Sequence, residues 1–134
     1  MDTEEIESYR KKGEECFEKG NYMGAITCFK FIKDLGGLEK VLNFLKKEKE
    51  GKQITSIKAA EKEIEIVKEY NRIAKGYECL EQKNYEDAYN NFENTCLIGL
   101  LTLQNSLLND SNYEKKDELN KRIIKTIEVH AGAS

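Results

Sequence analysis

Proline and tryptophan are absent from this chain of 134 residues, and histidine occurs once, at position 130. Without proline, nothing inside an element removes a backbone donor, so long unbroken helices are permitted. There is no basic excess either. Lys and Arg number 22 against 25 Asp and Glu, for a net charge of −3, and the signs are interspersed. A nucleic-acid interface needs a basic face, so none is expected. The longest apolar cluster, Cys96 to Leu103, spans eight residues and contains Gly99 and Thr102. It falls well short of the ~20 residues of a spanning helix, so no membrane segment is expected. No signal peptide opens the chain, which points to a reducing, cytoplasmic setting.

The chemistry of catalysis is equally thin. The four cysteines, Cys16, Cys28, Cys79 and Cys96, form no C-x-x-C pair. A zinc site needs clustered thiolates or imidazoles, so no metal is expected and the thiols read as small buried hydrophobes. No glycine-rich phosphate loop appears, and no Ser or Cys has a nearby His to activate it. Paired carboxylates such as Glu4-Glu5 and Glu14-Glu15 read as solvated helix faces. The expectation is therefore no enzyme, no cofactor and no catalytic residue. A helical module acting on RNA or nucleotides has only Lys11-Lys12, Lys115-Lys116 and Lys121-Arg122 to recommend it, and acids dilute these.

What the chain does contain is a repeat. Lys12 to Phe29 matches Lys75 to Phe92 at a spacing of 63, with nine of eighteen positions identical. Each copy reads helix, tight turn, helix. Gly13 and Cys16, or Gly76 and Cys79, lie near one face of the first helix. Asn21 and Asn84 stand where a side chain can cap the next helix. Tyr22, Ala25, Ile26 and Phe29, matched by Tyr85, Ala88, Tyr89 and Phe92, follow the i, i+3, i+4, i+7 spacing of an amphipathic helix. Pairing Gly13 with Ala25, and Gly76 with Ala88, would let two backbones approach closely while the aromatics fill the wedge beside them.

Around these copies the pattern predicts about six helices in one domain, 1–134. A hairpin covers 3–35, broken at Gly20-Asn21 and stopped at Gly36-Gly37. A middle helix follows over 38–50. A long hairpin covers 56–108, with continuous helices 56–82 and 85–108. A capping helix covers 112–130, started by a Ser111–Glu114 capping box. The residues from His130 to Ser134 read as a loose end. The tail of the 85–108 helix is apolar on more than one face and must be covered on several sides.

The residues Tyr9, Gly13, Gly20, Tyr22, Ala25 and Phe29, and Gly76, Tyr85, Ala88 and Phe92, resemble a tetratricopeptide repeat. Lys12 and Lys75 stand where that family has Leu, and Cys16 and Cys79 where it has a second aromatic. The Asn-Tyr-x-x-Ala turn is also similar to that of three-helix microtubule-interacting-and-trafficking domains, but two copies favour stacked hairpins. The resemblance implies an all-α fold of stacked antiparallel hairpins that serves as a protein-interaction scaffold. Its first helices would line a groove for a peptide or helix of a partner. The positions on that face are Arg10 and Glu14 in the first copy and Tyr70, Ile73, Tyr77 and Glu81 in the second. Glu14 would repel the C-terminal carboxylate that some members of the family bind. The apolar second set is either an open interface or is covered by the last helix. Self-association through the apolar 85–108 helix, giving a homodimer, is the alternative.

Overall fold

A computed structural model describes residues 1–132; the last two residues of the expected C-terminal tail lie outside the described residues. The described chain is all-helical, with seven helices and no strand. They are α1 (Thr3–Glu18), α2 (Tyr22–Phe31), α3 (Leu35–Lys47), α4 (Ile54–Glu81), α5 (Tyr85–Phe92), α6 (Leu97–Leu108) and α7 (Lys116–His130). The chain divides into two compact units, Met1–Lys68 and Glu69–Ser134, with the boundary inside α4.

In the first unit α1 begins at Asp2, whose carboxylate accepts the Glu5 N–H at 2.9 Å. Glu4 and Glu5 in the first turn add to the favourable field at that end. Gly20 ends the turn after α1 with φ +80°, a conformation that costs a residue without a Cβ nothing. Asn21 then caps α2 by accepting the Gly24 N–H at 3.0 Å. The core of this unit joins Ala25, Ile26 and Phe29 of α2, Leu38, Val41 and Leu45 of α3, and Ala60, Ile64 and Val67 of α4.

The second unit repeats this plan with the last part of α4 in the role of α1. Its core joins Cys79, Tyr85, Ala88, Tyr89 and Phe92 to Leu100, Leu103 and Leu107 of α6 and to Leu119 and Ile123 of α7. The equivalent of Gly20 is Lys83, held at φ +60°. Asn84 differs from its counterpart. It makes no cap bond and donates instead to Asp87 at 2.7 Å.

Several expectations are corrected. The pair Gly36-Gly37 does not stop the second helix. Instead α2 ends at Phe31 and Lys33 turns the chain at φ +53°. Asp34 caps α3 by accepting the Gly37 N–H at 3.0 Å, so both glycines lie inside that helix.

The role of Gly37 is contact. A Cβ there would meet the Phe29 ring at 2.6 Å, and one at Gly13 would meet the same ring at 2.7 Å. In the second unit a Cβ at Gly76 would meet Phe92 at 2.4 Å and one at Gly99 would meet it at 2.5 Å. Each unit is therefore built on one fully buried Phe ring clamped between two glycine backbones. The atoms nearest Gly13 and Gly76 belong to these Phe rings rather than to Ala25 and Ala88.

The continuous helix expected over 85–108 is two helices, which raises the count from about six to seven. No glycine or proline marks the break. Thr95 turns its hydroxyl onto the Asn91 carbonyl at 2.8 Å, a local bond that competes with helix continuation. Cys96 is extended at φ −146°, and its Sγ accepts the Gly99 N–H at 3.2 Å as the cap of α6. The break also aligns the units further. Leu35, Gly37, Leu38, Asn43 and Leu45 of α3 fall on Leu97, Gly99, Leu100, Asn105 and Leu107 of α6 once one residue is skipped.

The Ser111–Glu114 capping box does not form. The N-cap of α7 is Lys115, without a side-chain bond, and α7 remains helical to His130. The His130 ring is placed at the carbonyl oxygen of Glu93.

Candidate partner-binding face

The six expected face residues fall in different units, Arg10 and Glu14 in the first and the other four in the second. Arg10 is already engaged. Its Nε donates to Asp34 Oδ2 at 3.3 Å, and its Nη1 pairs with Glu7. Asp34 uses its other oxygen to cap α3, so this ion pair ties α1 to the start of α3. Glu14 is exposed.

On α4 the apolar set is graded. Tyr77 is half-buried and stands edge-on to Phe92 with centroids 5.0 Å apart. Ile73 is also half-buried and packs on the second core. Tyr70 is 53% exposed. Tyr77 and Ile73 thus support the clamped Phe92 ring as well as reaching the surface, while Glu81 is exposed.

The larger exposed apolar surface lies on α6, as its all-round apolar sequence suggested. Leu100, Leu103 and Leu107 point into the core with Leu119 and Ile123 of α7. Ile98, Leu101 and Leu108 remain 71%, 48% and 49% exposed. Their counterparts on α3 are Gly36, Glu39 and Lys46, all exposed. The same scaffold positions carry a glycine, an acid and a base in one unit and hydrocarbon in the other. The apolar excess of this segment is legible in the sequence but its placement is not, because the break at residues 93–96 sets which way α6 turns. Aligning α3 with α6 is the signal that reveals it.

A second feature was not anticipated. Between the ends of α4 and α6 lies an open cavity of about 490 Å³. On its wall the Tyr85 hydroxyl donates to Asp110 Oδ2 at 2.5 Å, and Asp110 Oδ1 accepts the Asn112 N–H at 3.0 Å. Burial above all, then this hydrogen bond and the Asp110 charge, push the Tyr85 hydroxyl up to about 12. The Tyr85 bond chiefly, aided by the Asn112 N–H, holds the Asp110 carboxyl below its ordinary value.

All four cysteines are free thiols. Burial and the neighbouring Cys16 raise the Cys28 thiol. Among the described residues no three His, Cys, Asp or Glu side chains gather as metal ligands, and no helix is long and apolar enough to cross a membrane. Comparison with family models, with curated proteins and with solved structures gives no match.

Proposed function

We propose that this chain is a protein-interaction scaffold of helical hairpins similar to tetratricopeptide repeats, and that it holds a peptide or helix of a partner protein. One observation carries the reading: the outer face of α6 carries Ile98, Leu101 and Leu108 where the equivalent positions of α3 carry Gly36, Glu39 and Lys46. The clamp of two glycines around a Phe is the same in both units, so the fold itself does not require hydrocarbon at Ile98, Leu101 and Leu108. Exposed apolar side chains grouped on one helix are what interfaces use. In this reading Tyr70, Ile73, Tyr77 and Glu81 are contact residues of the second unit, and Arg10 and Glu14 are contact residues of the first, each unit taken by itself.

The test is capture from native extract with wild-type chain, with Leu101→Glu and with the control Glu39→Lys. The expected result is a defined complex kept by wild type and control and lost by Leu101→Glu, whose circular-dichroism melt stays unchanged. Persistence of the same complex in Leu101→Glu and in Ile98→Glu overturns the reading.

The same face favours self-association as a second reading. The twelve residues of α6 carry no charge, so two copies facing each other across a two-fold axis meet no like-charge repulsion. Light scattering decides it: a dimer that Leu101→Glu converts to monomer supports self-association, and a strict monomer at high concentration removes it.

A further inference from the structure

We infer that the partner of the exposed α6 face is a second copy of this chain, whose α6 lies parallel and in register against it so that Asn105 meets Asn105 across a two-fold axis. This deepens the reading of α6 as an interaction face by naming what covers it, and rests on that reading.

The outer row of α6 has a definite order. Ile98, Leu101, Asn105 and Leu108 are all exposed and follow one another at intervals of three, four and three residues. On a helix they fall on the side opposite the buried Gly99, Leu100, Leu103 and Leu107. The row is therefore a ridge pointing away from the core of its own unit. Alternation of three and four is the seam of a coiled coil, with Ile98 and Asn105 at the first core position of the heptad and Leu101 and Leu108 at the second. A β-branched residue at the first position with Leu at the second favours two parallel strands, and a single Asn at the first fixes their register.

Asn105 also decides the polarity. In a parallel pair each side chain of the row meets its own copy, so amide meets amide and each can donate to the other. With the rows overlapped in the antiparallel sense Asn105 would face Leu101, and the seam would bury an amide against hydrocarbon. Within its own chain the Asn105 Oδ1 accepts a long bond from Asn109 Nδ2 at 3.4 Å, which engages its oxygen and not its N–H groups.

The flanks of the row select a like partner. Leu97, Thr102, Gln104 and Asn109 sit where parallel coiled coils carry the charges that choose between partners. None is ionisable, so a second copy leaves no flanking charge unpaired, whereas a helix with charged flanks would find no counter-charge. The matching row of the first unit is the opposite case: Gly36, Glu39, Asn43 and Lys46 would set acid against acid and base against base in the same pairing. A helix as short as α6 would not persist alone. It is already folded against Leu119 and Ile123, so association carries no helix-ordering cost. The seam is short, and the dimer is accordingly weak and reversible.

The experiment uses the full chain, first in sedimentation velocity over a concentration series, then in isotope-filtered NOE spectroscopy on an equal mixture of labelled and unlabelled copies. The expected result is a monomer–dimer equilibrium with intermolecular contacts from Ile98 to Ile98 and from Leu108 to Leu108. Asn105→Asp sets two carboxylates face to face and should weaken the dimer by about tenfold or more at neutral pH. Its melt at low concentration should match wild type, because Asn105 is exposed. A monomer at every concentration, contacts of Ile98 with Leu108 instead, a dimer without contacts along α6, or Asn105→Asp associating as tightly as wild type each overturns the inference. The readings fail separately. A strict monomer that still captures a foreign protein through Leu101 keeps the interaction reading and loses this one, and an antiparallel dimer keeps self-association and loses the register.

Discussion

Replacing Gly76 by Ala tests the clamp directly, because two known effects oppose each other there. Alanine in the interior of a helix is favoured over glycine by about 1 kcal/mol. Against this, the new Cβ of Gly76→Ala would lie 2.4, 2.7 and 2.7 Å from three atoms of the Phe92 ring. Ordinary contact begins near 3.4 Å, so the ring must move by about 1 Å. It has nowhere to go. Phe92 is fully buried, and the same Cδ1–Cε1 edge of its ring also lies against Gly99 of α6. Overpacking of a closed core costs about 1–3 kcal/mol, and this site belongs at the upper end. The expected net effect is a loss of about 2 kcal/mol, read as a lower urea midpoint by circular dichroism. Gly36→Ala is the control. Gly36 lies in α3, is exposed, and a Cβ there meets nothing nearer than 3.5 Å. It should gain up to about 1 kcal/mol by the same propensity. Combining Gly76→Ala with Phe92→Leu removes the clashing ring edge and should show a coupling of about 1 kcal/mol or more. A Gly76→Ala chain as stable as wild type would show that the close contact of Gly76 with Phe92 does not hold the second unit together.

Four further outcomes follow from the same geometry. Tyr77→Ala should cost about 2–3 kcal/mol, below the ~3–5 kcal/mol of a fully buried aromatic because part of its ring meets water; an unchanged midpoint would show that its contact with Phe92 contributes nothing. Lys83→Gly should raise the midpoint by about 0.5–1 kcal/mol, since a side chain at φ +60° is strained and glycine is not; a fall would refute this. Asp34→Ala should lower stability by about 1–2 kcal/mol through loss of the α3 cap and the Arg10 pair, and Asp34→Asn, which keeps the cap, should recover most of it. For pH, the folded Tyr85 holds its proton to about 12 against an ordinary value of 10. Its stabilisation is complete below pH 10 and is lost as pH rises toward 12. Asp110 acts at the other end: its carboxyl is depressed, so its contribution is present above the ordinary carboxylate range and is lost as acid protonates it. Tyr85→Phe should flatten both limbs of the stability curve, and identical curves for wild type and variant would contradict the assignment.

Much of the fold was legible because its signals are local. The start of α1 near Thr3 follows from the acidic residues of its first turn, and the length of α4, expected over 56–82 and found at Ile54–Glu81, from apolar spacing without a breaker. The turn after α1 follows from Gly20-Asn21. The spacing of 63 between copies also survives as two units of like plan. The glycines were not legible in the same way. Gly36-Gly37 has the composition of a helix stop, yet Gly37 is needed inside α3 because Phe29 lies against it. A residue that is small for the sake of a neighbour looks the same in sequence as one that is small for the sake of its own φ. The candidate face divided similarly. Tyr70, Ile73 and Tyr77 share a helical stripe, but only contact with Phe92 separates Tyr77, which supports the core, from Tyr70 at the surface.

By itself the sequence determined that the chain is helical, that it is built twice on one hairpin, and where most helices begin. These depend on interactions between residues a few positions apart, which periodicity and capping record. Tertiary structure alone decided that each unit closes on a Phe ring between two glycine backbones, and that α5 and α6 part at residues 93–96. Those depend on atoms brought together from distant positions, whose fit is set by packing density in three dimensions and leaves no period in the chain.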